Sequence, residues 1–125
     1  MTGSNGSPEG FRDRVAQGVL VADGAMGTVL HAAGNPLERS LPELNLSDPD
    51  QVQRIHDSYL ATGVELIQTN TFGASRLRLE VNGLGDRTAE INMAGVRVAR
   101  AAGLTLERTG ERSLDLVAGN SVAPA

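Results

Sequence analysis

The sequence contains no cysteine. That excludes disulfides, a thiol nucleophile and any thiolate-ligated metal site built from this chain. Lysine is missing too, because all 11 basic residues are arginine. A Schiff base, a lysine-anchored cofactor or a P-loop therefore cannot form. Phe11, Tyr59 and Phe72 are the only aromatic residues, no basic run occurs, and the net charge is -4. Nucleic-acid binding thus lacks both its phosphate contacts and its stacking platforms. No apolar run approaches the ~20 residues that a membrane-spanning helix requires. The two histidines, His31 and His56, cannot build a three-histidine zinc site.

What remains is a 125-residue chain, 40% hydrophobic, which suits one globular unit with a modest core. Residues 1–10, MTGSNGSPEG, read as a polar tail, disordered until about Pro8. This tail has neither the basic patch nor the apolar segment of a signal peptide, so a cytoplasmic location is expected. Residues 11–125 are then the folded domain.

Within that domain Phe11 to Val15 predicts a short helix, with Phe11 and Val15 packed inward and Arg12, Asp13 and Arg14 facing water. Gly18 ends it. Val19 to Ala22 is a continuous apolar run of the kind found in a parallel strand covered on both faces, and Asp23 terminates it. Gly24, Ala25 and Gly27 permit a sharp turn and close approach of a ligand. Thr28 to Ala33 predicts a helical turn or more, and Leu37 to Leu46 is irregular. Ser47-Asp48-Pro49-Asp50 then marks a helix start, with Ser47 as N-cap, Pro49 in the first turn and Asp50 in a capping-box position. In the helix that follows, Val52, Ile55, Tyr59 and Leu60 share one face, and Gly63 supplies the left-handed cap.

Val64 to Thr69 is the second strand, ending in Asn70-Thr71. A short helical stretch over 73–81 comes next, and Asp86 can cap a helix whose inward face is Ile91, Ala94, Val98 and Ala102, closed by Gly103. Leu114 to Ala118 is a third strand, ending in Gly119-Asn120. Strand, helix, strand, helix, strand predicts an α/β fold with a parallel sheet, either an open doubly wound sheet or part of a (β/α) barrel. Both architectures place function at the carboxyl ends of strands, here Asp23-Gly24, Asn70-Thr71 and Gly119-Asn120.

Singly, these motifs are weak. DGAMGT lacks the three glycines of a dinucleotide fingerprint, and a plain strand-to-turn junction explains it about as well as a binding loop. The carboxylate of Asp23 at a strand end is well placed to bind an ammonium group or to act as a base. The Asn and Thr of TNTFGA could simply cap a helix. His56 reads as a partly exposed packing residue, His31 as a loop or helix-end residue, and Arg97, Arg100, Arg108 and Arg112 as a solvated face.

Together, in order and spacing, DGAMGT, ELNLSDPDQVQRIHDSYLATGVELIQTNTFGASRLRL and EINMAGVRVARAAG resemble the start of the homocysteine S-methyltransferase family, from about Phe11 to Gly119. Within it, the likeness is to the bifunctional homocysteine S-methyltransferase/methylenetetrahydrofolate reductases and to the N-terminal module of cobalamin-dependent methionine synthases. The resemblance implies a (β/α)8 TIM barrel, of which this chain supplies about three β/α units. It also implies a homocysteine cradle in which Asp23 and the backbone of Gly24, Ala25 and Met26 meet the amino acid's polar end. Gly27 and Thr28 would shape that turn, and Asn70 would line the same pocket. In the family, zinc held by three cysteine thiolates binds the homocysteine sulfur and lowers its pKa, so that the thiolate attacks an activated methyl group.

Those cysteines lie in later barrel strands, and this chain has none. The tail VAGNSVAPA only loosely resembles the family's third strand end. An N-terminal fragment that cannot transfer a methyl group alone is therefore the expected function, with no catalytic or metal-binding residue of its own. A half-barrel subunit completed by a partner chain and a small-molecule binding module without chemistry are the alternatives. Three parallel strands with open edges also predict marginal stability in isolation. The methyl donor is not legible, because the regions that select it are absent from this sequence.

Overall fold

A computed structural model describes residues 8–108 and 116–118. Helix α1, Pro8–Ala16, precedes an extended segment over 19–22, and α2, Gly27–Ala32, follows the turn after it. Next come α3 (Leu44–Ser47), α4 (Pro49–Ala61), strand β1 (Leu66–Gln68), α5 (Arg76–Glu80) and a 3₁₀ turn, Gly85–Arg87. The long helix α6, Thr88–Arg108, leads to strand β2, Leu116–Ala118. Residues 8–10 of the expected tail are the first turn of α1, and 1–7 lie outside the described residues.

Strands β1 and β2 run parallel, with Leu66 opposite Leu116, Ile67 opposite Val117 and Gln68 opposite Ala118. The segment 19–22 adds to the other edge of β1 through a parallel bridge, Ala22 to Leu66. Val21 O accepts from Glu65 N at 2.9 Å, and Asp23 N donates to Leu66 O at 2.9 Å. The buried first strand expected over 19–22 is thus reduced to one bridge, with Val19 85% and Val21 52% exposed. A strand of that apolar type needs cover on both faces, and among the described residues the face of Val19 and Val21 has none and that of Leu20 only part.

The α1 reading holds for Arg12 and Asp13, which face water, and fails for the other three residues. Phe11 and Val15 are 43% and 46% exposed, while Arg14 turns inward and grips Glu65 through Nε and Nη2, both at 2.7 Å. Arg14 Nη2 also donates to Val19 O at 2.9 Å. A bidentate guanidinium–carboxylate pair with directional bonds outweighs the packing of two apolar side chains that have no wall to meet.

Helix α4 starts one residue later than expected. Pro49 disfavours helical geometry at the residue before it, so Asp48, at φ -149° and ψ 63°, becomes the N-cap and accepts from Gln51 N. Ser47 instead ends α3. Gly63, at φ +100°, follows the last turn of α4, where an L side chain would be strained. Helix α6 continues through Gly103 to Arg108, because a glycine inside a helix weakens it by only ~1 kcal/mol and need not end it.

The core gathers where α4 and α6 pack over β1. Leu60, Val64, Ile67, Ala99 and Ala102 form one cluster, and Leu30, Leu44, Val52, Ile55 and Val98 a second that Tyr59, Met26 and Leu41 border. Ala74, Leu79 and Ile91 form a third beneath α5. The inward faces expected for α4 and α6 are buried except for Tyr59, which is half-buried, and with one addition: His56 is fully buried rather than partly exposed. It lies one turn from both Val52 and Leu60, so the apolar face of α4 extends across it. Arg97 and Arg100 face outward as expected. The expected end Gly119-Asn120 and Arg112 lie outside the described residues, and at Arg108 only the backbone is described.

Candidate functional site

A pocket of about 340 Å³ opens where the 19–22 segment and β1 both end. Asp23, Gly24, Ala25, Met26 and Gly27 form one side, Gln68, Thr69 and Asn70 the other, and Leu41 and Phe72 close the rim. Six of the seven residues singled out in the sequence therefore meet here. The seventh, Thr28, sits in the first turn of α2, exposed and outside the lining.

Asp23 is half-buried, and its Oδ2 accepts from Gln68 N at 3.1 Å. Its Oδ1 is buried and has no hydrogen-bond partner among the described residues. Burial raises the Asp23 pKa, and the N–H groups of Gln68 and of Asp23 itself pull it partly back. No ion pair with a described residue involves this carboxylate.

The turn after Asp23 does not use left-handed glycine geometry, since neither Gly24 nor Gly27 has a positive φ. The constraint at Gly24 is space: a Cβ there would stand 3.2 Å from Tyr59 Oη. That hydroxyl donates to Ala25 O at 2.7 Å and ties the turn to α4. No hydrogen bond among the described residues engages the backbone N–H of Gly24, Ala25 or Met26.

Asn70 is 5% exposed, and its carboxamide is held on the side away from solvent. Nδ2 donates to Leu41 O at 3.0 Å and to Asn45 Oδ1 at 3.1 Å. Asn45, itself 3% exposed, donates from Nδ2 to Asn70 O at 2.8 Å and to Ile91 O at 3.3 Å. Beside it, the hydroxyls of Thr69 and Thr71 are 2.7 Å apart. Sequence reasoning missed Asn45 because it stands in a stretch read as irregular. It missed Tyr59's role because that side chain was assigned to the apolar stripe. A polar residue inside ELNLS, between two leucines that go to the core, is the signal that could have found Asn45.

Residues 20–124 match the family model for homocysteine S-methyltransferase. The chain belongs to the homocysteine S-methyltransferase family. Over 94 residues it is 37% identical to a methionine synthase of Mycobacterium tuberculosis and 36% to that of Mycobacterium leprae, covering 70% of this chain and 8% of each relative. The fold matches the homocysteine methyltransferase MmuM of Escherichia coli, with TM-scores of 0.73 for the metallated form and 0.74 for the oxidised form. Those matches are 25% and 26% identical and cover 88% of this chain, but only 40% and 39% of the neighbour's. The chain thus spans well under half the length of the relatives it matches.

The zinc that the family uses does not fit the residues present. The sequence offers no thiolate, and among the described residues no three His, Asp or Glu side chains converge. His31 is 2.8 Å from Asn35 O through Nδ1, which must donate to that carbonyl, and His56 is sealed in the core. Among the described residues no helix is long and apolar enough to cross a membrane.

Proposed function

We propose that residues 11–125 form the amino-terminal part of a homocysteine-binding (β/α)8 barrel and hold the amino-acid end of homocysteine in the strand-end pocket. The observation that carries this reading is the buried Oδ1 of Asp23, unpartnered among the described residues, on the same wall as the N–H groups of Gly24, Ala25 and Met26, which no described residue engages. An α-amino acid brings an ammonium and a carboxylate on one carbon, and this pocket offers an acceptor for the first and donors for the second. Gly27 keeps the turn close to Leu41, and Asn70 forms the opposite wall. Thr28 supports the turn from the start of α2.

Methyl transfer to the sulfur needs the thiol activated as thiolate. Among the described residues of this pocket none is left for that task, because Asp23 is better used on the ammonium and no metal-binding group accompanies it. The chain therefore binds and orients the amino acid and leaves thiol activation and the methyl donor to the remainder of a barrel, in the cytoplasm where such enzymes work. A remainder supplied by a separate chain is the second reading, favoured by the exposed apolar edge at Val19 and Val21.

Calorimetric titration of the full chain with L-homocysteine, methionine and inorganic phosphate tests the pocket. Binding of homocysteine that weakens in Asp23→Asn supports it, whereas binding of phosphate alone favours a different module. A methylation assay with zinc, homocysteine and a methyl donor tests the other half, and robust turnover by this chain alone would overturn it.

A further inference from the structure

Asn70 lines the pocket, but both hydrogens of its carboxamide NH₂ are already spent. One goes to Leu41 O and the other to Asn45 Oδ1. Their assignment is fixed by chemistry: Leu41 O can only accept, so the atom facing it is the nitrogen. The same holds at Asn45, whose Nδ2 lies against two carbonyls, Asn70 O and Ile91 O, leaving Oδ1 to accept from Asn70. Neither amide can be turned over without setting oxygen against oxygen. The side-chain atom of Asn70 left without a protein partner among the described residues is therefore Oδ1.

Asn45 keeps this arrangement only because α6 makes room for it. A Cβ at Gly95 would lie 2.9 Å from Asn45 Nδ2 and 2.8 Å from Thr71 Cγ2. Both are closer than packed atoms tolerate, and both neighbours are buried. Gly95 is thus the seat on which Asn45 and the 69–71 strand end rest.

Building on the homocysteine reading, we infer that Asn45, seated by Gly95, is a positioning residue that fixes Asn70 with its oxygen free for the ligand, so that the pocket presents two held acceptors that select a protonated primary amine. Asp23 Oδ1 is one acceptor and Asn70 Oδ1 the other. An ammonium has three N–H donors and can satisfy both; an acylated amine keeps one, and a ligand with no amine leaves a buried carboxylate oxygen unpaired. Selection against such ligands comes from the cost of that unpaired atom rather than from shape.

Titration of the full chain with three probes tests this without any substitution: L-homocysteine, N-acetyl-L-homocysteine and 4-mercaptobutanoate, which lacks the amine. The two altered probes should bind at least ~10-fold more weakly than homocysteine. The Asn70 side-chain NH₂ should give two protected proton resonances, and Asn45→Ala or Gly95→Ala should release them and narrow the discrimination between probes. Equal binding of homocysteine and 4-mercaptobutanoate would overturn the selection while leaving the homocysteine pocket standing. Failure of every probe to bind would remove that pocket, and this inference with it. Protection of the Asn70 NH₂ that survives in a folded Asn45→Ala variant would overturn the positioning role.

Discussion

Asp23 and Asn70 stand at the ends of neighbouring parallel segments, yet the protein holds them by different means. Asn70 is fixed by three hydrogen bonds to α3 and the loop before it, the two with Asn45 buried and the one to Leu41 O part-buried. Asp23 rests on its own N–H to Leu66 O and, at its side chain, on one bond from Gln68 N, at the edge of a segment where Val19 and Val21 face solvent. The layout looks the same in the sequence, an apolar run ending in a polar residue. The difference is cover: β1 has a neighbour on each side and helices α4 and α6 over it, and the 19–22 segment has β1 alone. One wall of the pocket is thus prebuilt, and the other keeps an unspent carboxylate oxygen for a ligand.

The largest expected effect breaks the prebuilt wall. Asn45→Ala leaves Asn70 O without its buried donor and takes one bond each from Ile91 O, which keeps its helical N–H, and from Asn70 Nδ2, which keeps Leu41 O. Stability should fall by about 3 to 4 kcal/mol, read as a shift in the urea midpoint. A loss under about 1 kcal/mol would mean that water replaces the amide and that this wall is as open as the other.

Next in size is the scaffold that both walls share. His56 on α4 is sealed, with neither ring nitrogen partnered among the described residues, and burial lowers its pKa to about 4. The folded chain keeps this imidazole neutral while the unfolded chain protonates near 6.5. Stability is therefore complete above 6.5, is lost as pH falls, and levels off below about 4. The loss is about 3 kcal/mol, visible in urea midpoints measured down the acid range. His56→Leu should flatten that slope. An unchanged slope in the variant would assign the acid loss to carboxylates instead.

Much of this scaffold is legible in the sequence, and the exceptions have a common cause. The faces of α4 and α6, the strand ends at Asp23 and Asn70, and the turn residues Gly24 to Gly27 all follow from periodicity and punctuation, which are local. His56 was legible in the same spacing, one turn from Val52 and Leu60, but Arg14 and Asn45 are decided by what packs against them from far along the chain. Arg14 meets Glu65, Asn45 meets Asn70 and Ile91, and no spacing rule encodes those meetings. The 19–22 segment fails for the complementary reason: its apolar pattern anticipates cover that the described residues do not supply.

Asp23→Asn is a smaller perturbation confined to the open wall. Homocysteine affinity should drop by roughly ten- to a hundredfold, the range of one charge-assisted hydrogen bond. Folding stability should hold or rise slightly, since burial already disfavours the ionised carboxylate. In the wild type, affinity should weaken as pH falls through the raised pKa of Asp23, because the protonated acid no longer attracts an ammonium. The variant should lack that acid limb. Calorimetry across the acid range checks both, and an acid limb retained in the variant would place the titrating group elsewhere.

The smallest effect concerns what holds the turn in place. Tyr59 Oη reaches from α4 to Ala25 O at 2.7 Å, a direct tie from the helical core to the turn that lines the pocket. Tyr59→Phe keeps the ring and its packing and deletes only that bond. Ala25 is exposed, so water can take the vacated carbonyl, and stability should fall by only about 1 kcal/mol. Homocysteine affinity should fall by a few-fold, because the turn must then be ordered at the moment of binding. The two readouts separate the roles: a stability loss with unchanged affinity would make Tyr59 a packing residue. An affinity loss that Asp23→Asn does not add to would show that the tie acts by presenting the carboxylate. If the two losses add, the hydroxyl serves the backbone N–H groups of Gly24 to Met26, and the two halves of the open wall bind the amino acid's two charges independently.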